Sequence, residues 1–134
     1  MITEDYVSFE VAKLLKEKGF DEGCSFVVNA ISKGVMPVSW PTTNSDIEDD
    51  KANLIALPTH QMAMKWLREV HNKHCDIGYD IDLYWFFQII ELKELKEHFD
   101  YSELKYYHTE NDTGFNSYEE AVEAALKYTL EKLI

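Results

Sequence analysis

The chain has 134 residues and a formal net charge of −12, since 25 acidic side chains outnumber 13 basic ones. Its length predicts a single domain over 1–134, and a hydrophobic content of 46% supplies a core. Direct nucleic-acid binding is disfavoured, because phosphate contacts depend on Lys and Arg, and Arg68 is the single arginine. A membrane span needs about 18 consecutive apolar residues. No such run occurs, so we expect no membrane partner.

The N-terminal segment MITEDYVSFE is acidic, whereas a secretory signal begins with basic residues and continues with apolar ones. We therefore expect a cytoplasmic protein. Cys24 and Cys75 are then expected to be reduced thiols.

The first predicted element is a helix of about three turns that begins after Ser8, a natural N-cap. Val7 and Ala12 are spaced for a hydrophobic staple. Gly19 suits the left-handed position after the helix, and Phe20 can return toward the last turn as in a Schellman motif.

A hairpin is predicted next, with strands at 24–31 and 35–40 and a turn at 32–34. Pro37 has no amide hydrogen, which places the second strand at a sheet edge. Residues 41–53 are polar and acidic and predict an exposed, mobile loop.

A short strand at 54–57 precedes a second helix, which we predict from about Thr59 to His74. Apolar residues recur there at helical spacing. The expected buried face consists of Met62, Ala63, Trp66, Leu67 and Val70.

The second half predicts two further strands and a closing helix. Residues 76–83 alternate between apolar and polar, which indicates a half-buried strand. Residues 84–92 are apolar at nearly every position, as in a central strand. A weaker strand is placed at 104–108, within a stretch (93–108) that also permits a loop or short helix. Residues 110–116 have turn composition.

The closing helix begins with a capping box in which Ser117 is the N-cap and Glu120 the third helical residue. The resulting order, α-β-β-(β)-α-β-β-(β)-α, predicts the α+β class, with an antiparallel sheet of hairpins and about three helices largely on one face. The expected inner face of the closing helix comprises Tyr118, Ala121, Val122, Ala125, Leu126, Thr129 and Leu133.

His71, His74 and Cys75 form the first candidate site, because their spacing would place them on one side of the predicted helix. His and Cys ligate zinc, but a closed site needs four ligands, and no matching pair follows in the sequence. A Cys–His nucleophile would also need a third group to orient the base. We expect no metal, cofactor or catalytic residue, and read this segment as the end of a packed helix.

Two acidic patterns in the sequence are further candidates for a site. Asp46, Glu48 and Asp50 have calcium-loop spacing, but the glycine and glutamate that complete an EF-hand are missing, so a solvated loop is expected. Asp76, Asp80 and Asp82 alternate along the predicted strand and are read as its solvent face.

The aromatic side chains provide the remaining candidate site. Most of them are expected in the core. The pairs Tyr84–Trp85 and Tyr106–Tyr107 are harder to bury completely, and exposed rings there would form an interaction surface.

Three segments closely resemble blocks in small proteins of phages and mobile elements of gut bacteria. The resemblance implies a bacterial cytoplasm and phage biology, and it implies no particular activity, cofactor or catalytic residue. The segments are VSFEVAKLLKEKGFDE, PTHQMAMKWLREVHNKH and SYEEAVEAALKYTLEKLI.

These observations favour a non-enzymatic accessory factor that binds a host or phage protein, or itself. One version is an acidic decoy that presents carboxylates as DNA does. The alternative is a small hydrolase with a site assembled from His71, Cys75 and the group Asp76, Asp80 and Asp82. A third reading is a nucleic-acid binder that uses a local lysine face.

Overall fold

The computed structural model describes residues 1–47, 53–93, 105–107 and 113–134. The chain forms two compact units, Met1–Ala63 and Met64–Ile134, and each is described by itself. The expectation of a single domain stays a prediction.

Helix α1 (Phe9–Glu17) has the two ends that its sequence predicts. The Ser8 hydroxyl accepts a hydrogen bond from the Val11 amide at 3.2 Å. At the other end Gly19 has a φ of 91°, and the Phe20 amide donates to the Leu15 carbonyl at 2.9 Å. This is the Schellman arrangement.

The first sheet has the order β2-β1-β3 and is antiparallel, with β1 at Cys24–Asn29, β2 at Val35–Thr42 and β3 at Leu54–Leu57. Helix α1 packs on β3. The buried side chains of α1, β1 and β3 are Val11, Ala12, Leu15, Cys24, Val27, Val28, Ile55, Ala56 and Leu57.

Strand β2 lies at the sheet edge, as Pro37 predicts. The Asn29 amide donates to the Gly34 carbonyl at 2.9 Å, which sets the alternation of hydrogen-bonded pairs along the hairpin. Met36 and its partner Val27 therefore form a hydrogen-bonded pair, whereas the nitrogen of Pro37 faces away from β1. The proline therefore leaves the β1–β2 ladder intact.

The predicted loop at 41–53 begins two residues later than expected, because Pro41 and Thr42 still belong to β2. The Asn44 side chain donates to the Phe20 carbonyl at 2.8 Å and accepts from the Ala56 amide at 3.0 Å. Residues 48–52 lie outside the described residues, and with them Glu48 and Asp50 of the calcium pattern.

Helix α2 (His60–His71) begins one residue later and ends three residues earlier than predicted. Asn72 has a φ of 54°, a left-handed conformation that asparagine tolerates better than most residues. This reverses the chain, and β4 starts at Lys73. The helix buries Met64, whereas Val70, which we expected inside, is 55% exposed.

The second sheet is antiparallel and has four strands within the described ranges. Strand β4 (Lys73–Tyr79) pairs with β5 (Trp85–Glu91), which also pairs with β6 (Tyr106–Tyr107) and β7 (Thr113–Phe115). The central position of β5 agrees with its predominantly apolar sequence. Residues 113–115, which we expected in a turn, are a strand.

Helix α3 (Tyr118–Tyr128) packs on β4, β5 and β7, and a π-helical turn at Thr129–Leu133 continues it. The Ser117 hydroxyl accepts from the Glu120 amide at 3.1 Å, and the Glu120 carboxylate accepts from the Asn116 amide at 3.0 Å. The capping box therefore forms, with its return bond one residue earlier than in the usual motif. Fully buried side chains on this helix and turn are Ala121, Val122, Ala125, Leu126, Thr129 and Leu130.

In the part of the chain that the structure describes, the α+β class, the antiparallel hairpins and the three helices confirm the sequence prediction, although the strands divide between two sheets. Only part of the uncertain stretch 93–108 is described, and β6 lies within the weaker strand predicted there. None of the helices in the described ranges has both the length and the apolar character that a membrane crossing requires.

Candidate functional site

His71, His74 and Cys75 do not share a helix side, contrary to the sequence prediction. His71 is the last residue of α2, whereas His74 and Cys75 are consecutive on β4 and point to opposite faces of the sheet. The His71 ring packs edge-to-face against Trp66, with ring centroids 4.6 Å apart. Asn72 was the signal for this break, because asparagine is a common residue where a helix ends in a left-handed turn.

The Cys75 thiol lies in the protein interior. Its sulfur is 3.9 Å from the Thr129 hydroxyl. That hydroxyl in turn donates a hydrogen bond to the Ala125 carbonyl at 2.8 Å. Burial raises the pKa of Cys75 to about 11, and burial likewise raises the pKa of Cys24 to about 11. A nucleophilic cysteine requires a lowered pKa, so both thiols have the opposite electrostatic environment.

The three aspartates of the hydrolase alternative are also in different places. Asp76 is on β4, where it accepts a hydrogen bond from the Gln88 side chain at 2.8 Å. Asp80 and Asp82 lie beyond the end of the strand, in the turn that leads to β5. In the part of the chain that the structure describes, no three His, Cys, Asp or Glu side chains converge as a metal site would require.

The four aromatic residues of the predicted interaction surface form two separate groups. Trp85 begins β5, whereas Tyr107 and Tyr106 pair with Ile89 and Ile90 farther along that strand. Ile89 is four positions after Trp85 along the strand, which corresponds to roughly 13 Å.

In the group formed by Tyr106 and Tyr107, the Tyr107 side chain makes its contacts within the sheet. The Tyr107 hydroxyl donates to the Glu91 carboxylate at 3.0 Å, and the Lys73 ammonium lies 3.9 Å from the same carboxylate. The hydrogen bond from Tyr107 holds the pKa of Glu91 below its usual value. Tyr106 is 50% exposed.

The other group lies at the hairpin end, a name used here for residues 79–85, which connect β4 to β5. The Asp80 amide donates to the Tyr84 carbonyl at 2.9 Å, and the Leu83 amide donates to the Asp80 carbonyl at 3.0 Å. The Asp80 carboxylate also accepts from the Asp82 amide at 3.1 Å. These three bonds stabilise the turn.

This turn directs apolar side chains outward. Ile81 is 91% exposed and Leu83 is 78% exposed, although the strand prediction placed both on a half-buried face. Leu83 has a φ of 68°, a left-handed conformation that is rare for a residue with a branched apolar side chain. The sequence DIDL contains two aspartates, which favour turns, but they alternate with apolar residues as in a strand, and no Gly, Pro or Asn is present to distinguish the two patterns.

An aromatic row supports the hairpin end from the α3 side. The ring centroids of Tyr79 and Trp85 are 5.0 Å apart, and those of Trp85 and Tyr118 are 5.5 Å apart. Tyr79 is 55% exposed. The row therefore anchors the turn and adds aromatic surface next to Ile81 and Leu83.

The electrostatic field at the hairpin end is negative. The carboxylate of Asp80 raises the pKa of the Tyr84 hydroxyl, with a smaller contribution in the same direction from Asp82. The surface thus combines exposed apolar side chains with carboxylates, and this combination favours a cationic, partly apolar counterpart.

Comparisons of this chain with models of protein families, with curated proteins and with solved structures found no match. The resemblance to proteins of phages and mobile elements is therefore a prediction from the sequence segments alone.

Proposed function

We propose that this protein is a non-enzymatic interaction factor whose hairpin end docks onto another protein. The observation that carries the proposal is the exposure of Ile81 and Leu83 on a turn held by backbone hydrogen bonds. Contiguous exposed apolar side chains on a small protein mark interaction sites. An ordered turn also loses little conformational entropy on binding, which favours affinity.

The proposed partner is a protein surface with an apolar pocket bordered by Lys or Arg side chains. Ile81 and Leu83 would enter the pocket, and Asp80 and Asp82 would lie against the basic border. The net charge of −12 would accelerate encounter with such a surface. In keeping with the resemblance of the three sequence segments, we place this partner among host or phage proteins in a bacterial cytoplasm.

The test compares matched isoleucines in the two units. Ile81→Asp changes the hairpin end, whereas Ile31→Asp changes a side chain that is 76% exposed in the first unit. A protein captured by the wild type from host cells is purified, and its affinity for each variant is measured by calorimetry. We expect Ile81→Asp to weaken binding by about tenfold or more, because a buried isoleucine contributes about 1.5–3 kcal/mol.

The same titration at rising salt concentration tests the basic border, and affinity should fall as the carboxylates are screened. Circular dichroism establishes that both variants are folded. Equal affinities for the wild type and Ile81→Asp would exclude the hairpin end as the docking element.

A further inference from the structure

The segment 73–91 has the sequence pattern of one long strand, although it folds back on itself as the β4–β5 hairpin. Every second residue from Cys75 to Ile89 is apolar or aromatic, and this alternation continues without interruption through the hairpin end. No Gly, Pro or Asn lies between Tyr79 and Trp85 to favour a turn over a strand. The same sequence is therefore compatible with a closed hairpin and with one extended strand.

The closed turn is of a type that favours glycine where this chain has Leu83. The Leu83 amide donates to the Asp80 carbonyl at 3.0 Å, and the Asp80 amide donates to the Tyr84 carbonyl at 2.9 Å, so that three residues form the loop. In three-residue hairpin loops the last residue is left-handed, and glycine is best suited to it. Leu83 has a φ of 68°, and both it and Ile81 are exposed. The closed state thus combines backbone strain with exposed apolar surface.

The pairing of β4 with β5 is symmetrical about Asp82. Lys73 and Glu91 lie nine positions on either side of it. Tyr79 and Trp85 lie three positions on either side, and the register is regular over all seven pairs between these limits. Two identical extended segments, placed antiparallel about a two-fold axis at Asp82, would therefore have the same seven partners, each from the other copy.

We propose that two copies of this chain exchange the part that follows the hairpin end, with residues 79–85 as the hinge. Strand β4 of each copy then pairs with β5 of the other copy and packs on its α3, as β4 does within the single chain. The hydrogen bond from Gln88 to Asp76 likewise forms between copies. Exchange is a low-cost route to a dimer because it reuses contacts that the fold already makes, and a short, strained hinge favours it.

The extended hinge also covers the exposed apolar side chains of the turn. Since the Asp80 amide bonds the Tyr84 carbonyl, positions 80 and 84 are a hydrogen-bonded pair. Ile81 of one copy and Leu83 of the other then form a non-hydrogen-bonded pair, in which side chains come closest. Two such pairs would lie side by side across the axis, and apolar pairs of this kind stabilise a sheet.

Charge opposes the exchange. Asp82 of one copy would lie directly opposite Asp82 of the other, and each chain carries a net charge of −12. The closed monomer is therefore favoured at low concentration and low salt, and the exchanged dimer at high concentration and high salt. Because exchange covers Ile81 and Leu83, it would also withdraw the docking surface. That consequence rests on the proposed function, whereas the dimer itself does not.

Refolding of the full chain followed by size-exclusion chromatography tests the exchange. Refolding at roughly 500 μM and high salt should give a dimer that is absent after refolding at about 5 μM, because exchange requires two open chains to meet. Leu83→Gly should remain monomeric at both concentrations, because glycine suits the closed turn. Ile31→Gly, which changes an equally exposed residue of the first unit, is the matched control and should dimerise as the wild type does.

Asp82→Thr changes the position on the two-fold axis. It removes the opposed charges and introduces a β-branched residue that favours extended backbone, so it should increase the dimer fraction by about twofold or more. Leu83→Gly and Asp82→Thr thus shift the population of dimer in opposite directions, although both substitutions lie in the same turn.

A disulfide distinguishes exchange from any other dimer. In Lys73→Cys/Glu91→Cys, combined with Cys24→Ala/Cys75→Ala to remove the native thiols, the two introduced thiols are partners across the β4–β5 pairing. They occupy a non-hydrogen-bonded pair, which brings them close enough to form a disulfide. Oxidation should link the two chains of the isolated dimer covalently. Oxidation of the isolated monomer should leave single chains, as electrophoresis without reductant will show.

Three results would each overturn the proposal. The first is a wild type that stays monomeric after refolding at high concentration and high salt. The second is an isolated dimer whose chains stay unlinked on oxidation while the monomer forms its disulfide. The third is a Leu83→Gly variant that dimerises as the wild type does. Docking onto a partner is measured separately on the monomer, so failure of the exchange and failure of the proposed function are distinguishable.

Discussion

The ring of Phe86 lies directly over the backbone of Gly78, its antiparallel partner across the β4–β5 hairpin. A Cβ at position 78 would overlap with the ring. Glycine is therefore required here by the approach of an aromatic side chain, since the φ of Gly78 is in the ordinary range.

Gly78→Ala should lower the free energy of unfolding by about 1–3 kcal/mol, because the added methyl forces Phe86 from its position. Denaturant unfolding measures the change. Gly34→Ala is the control, since a Cβ there meets only the Ser32 hydroxyl at 3.3 Å. In the double variant Gly78→Ala/Phe86→Leu the loss should be smaller than the sum of the single losses, and strict additivity would contradict the steric explanation.

Leu83→Gly should raise the free energy of unfolding by about 1 kcal/mol, because it relieves a left-handed conformation that disfavours residues with a Cβ. Leu83→Ala keeps that strain and should give no comparable gain. If the hairpin end is the docking element, Leu83→Gly should at the same time weaken partner binding. A glycine variant no more stable than the alanine variant would show that the turn carries no such strain.

The two thiols should make the protein less stable at alkaline pH. Their ordinary pKa is near 9.0 and burial raises the folded pKa of each to about 11. Below pH 9 both states hold the thiol protons, and between pH 9 and 11 the unfolded chain releases them first, so stability falls as pH rises. Unfolding of the double variant Cys24→Ala/Cys75→Ala should show a shallower fall in this range. Parallel curves for the two proteins would contradict the assigned burial.

Asn44→Ala should lower the free energy of unfolding by about 1–3 kcal/mol, because it leaves the Phe20 carbonyl and the Ala56 amide without this side-chain partner. Ser45→Ala is the neighbouring control. Its hydroxyl bonds the Asp21 carboxylate on the exposed surface, and such exposed bonds contribute less. Thermal unfolding of the two variants measures how much stability each side chain contributes. Equal losses of stability in the two variants would refute the structural role given to Asn44.

The elements that sequence predicts well are those with local signals. Ser8 and Gly19 set the ends of α1 because the cap and the left-handed turn involve only neighbouring residues. Pro37 placed β2 at an edge for a similar reason, since a missing amide hydrogen is tolerated only where no strand needs it. These inferences required no knowledge of long-range contacts.

The candidate site was harder to predict, because it depends on where a strand stops. Alternation of Ile77, Tyr79, Ile81 and Leu83 continues past the end of β4, and tertiary pairing with β5 decides that the strand ends at Tyr79. Leu83 then adopts a conformation that its residue type disfavours. Likewise, the sequence around Asn72 is compatible with a longer helix, but α2 ends at His71. His74 and Cys75 therefore lie on β4, apart from His71.

Pro37 has a consequence for how this chain behaves when it is abundant. A free sheet edge is a template on which identical chains can add strand by strand, and this is the first step toward fibres. Pro37 interrupts that template near the start of β2, so strand addition at this edge should stay disfavoured when the chain is crowded. Two imino acids in one strand, Pro37 and Pro41, thus protect an otherwise apolar border against uncontrolled growth.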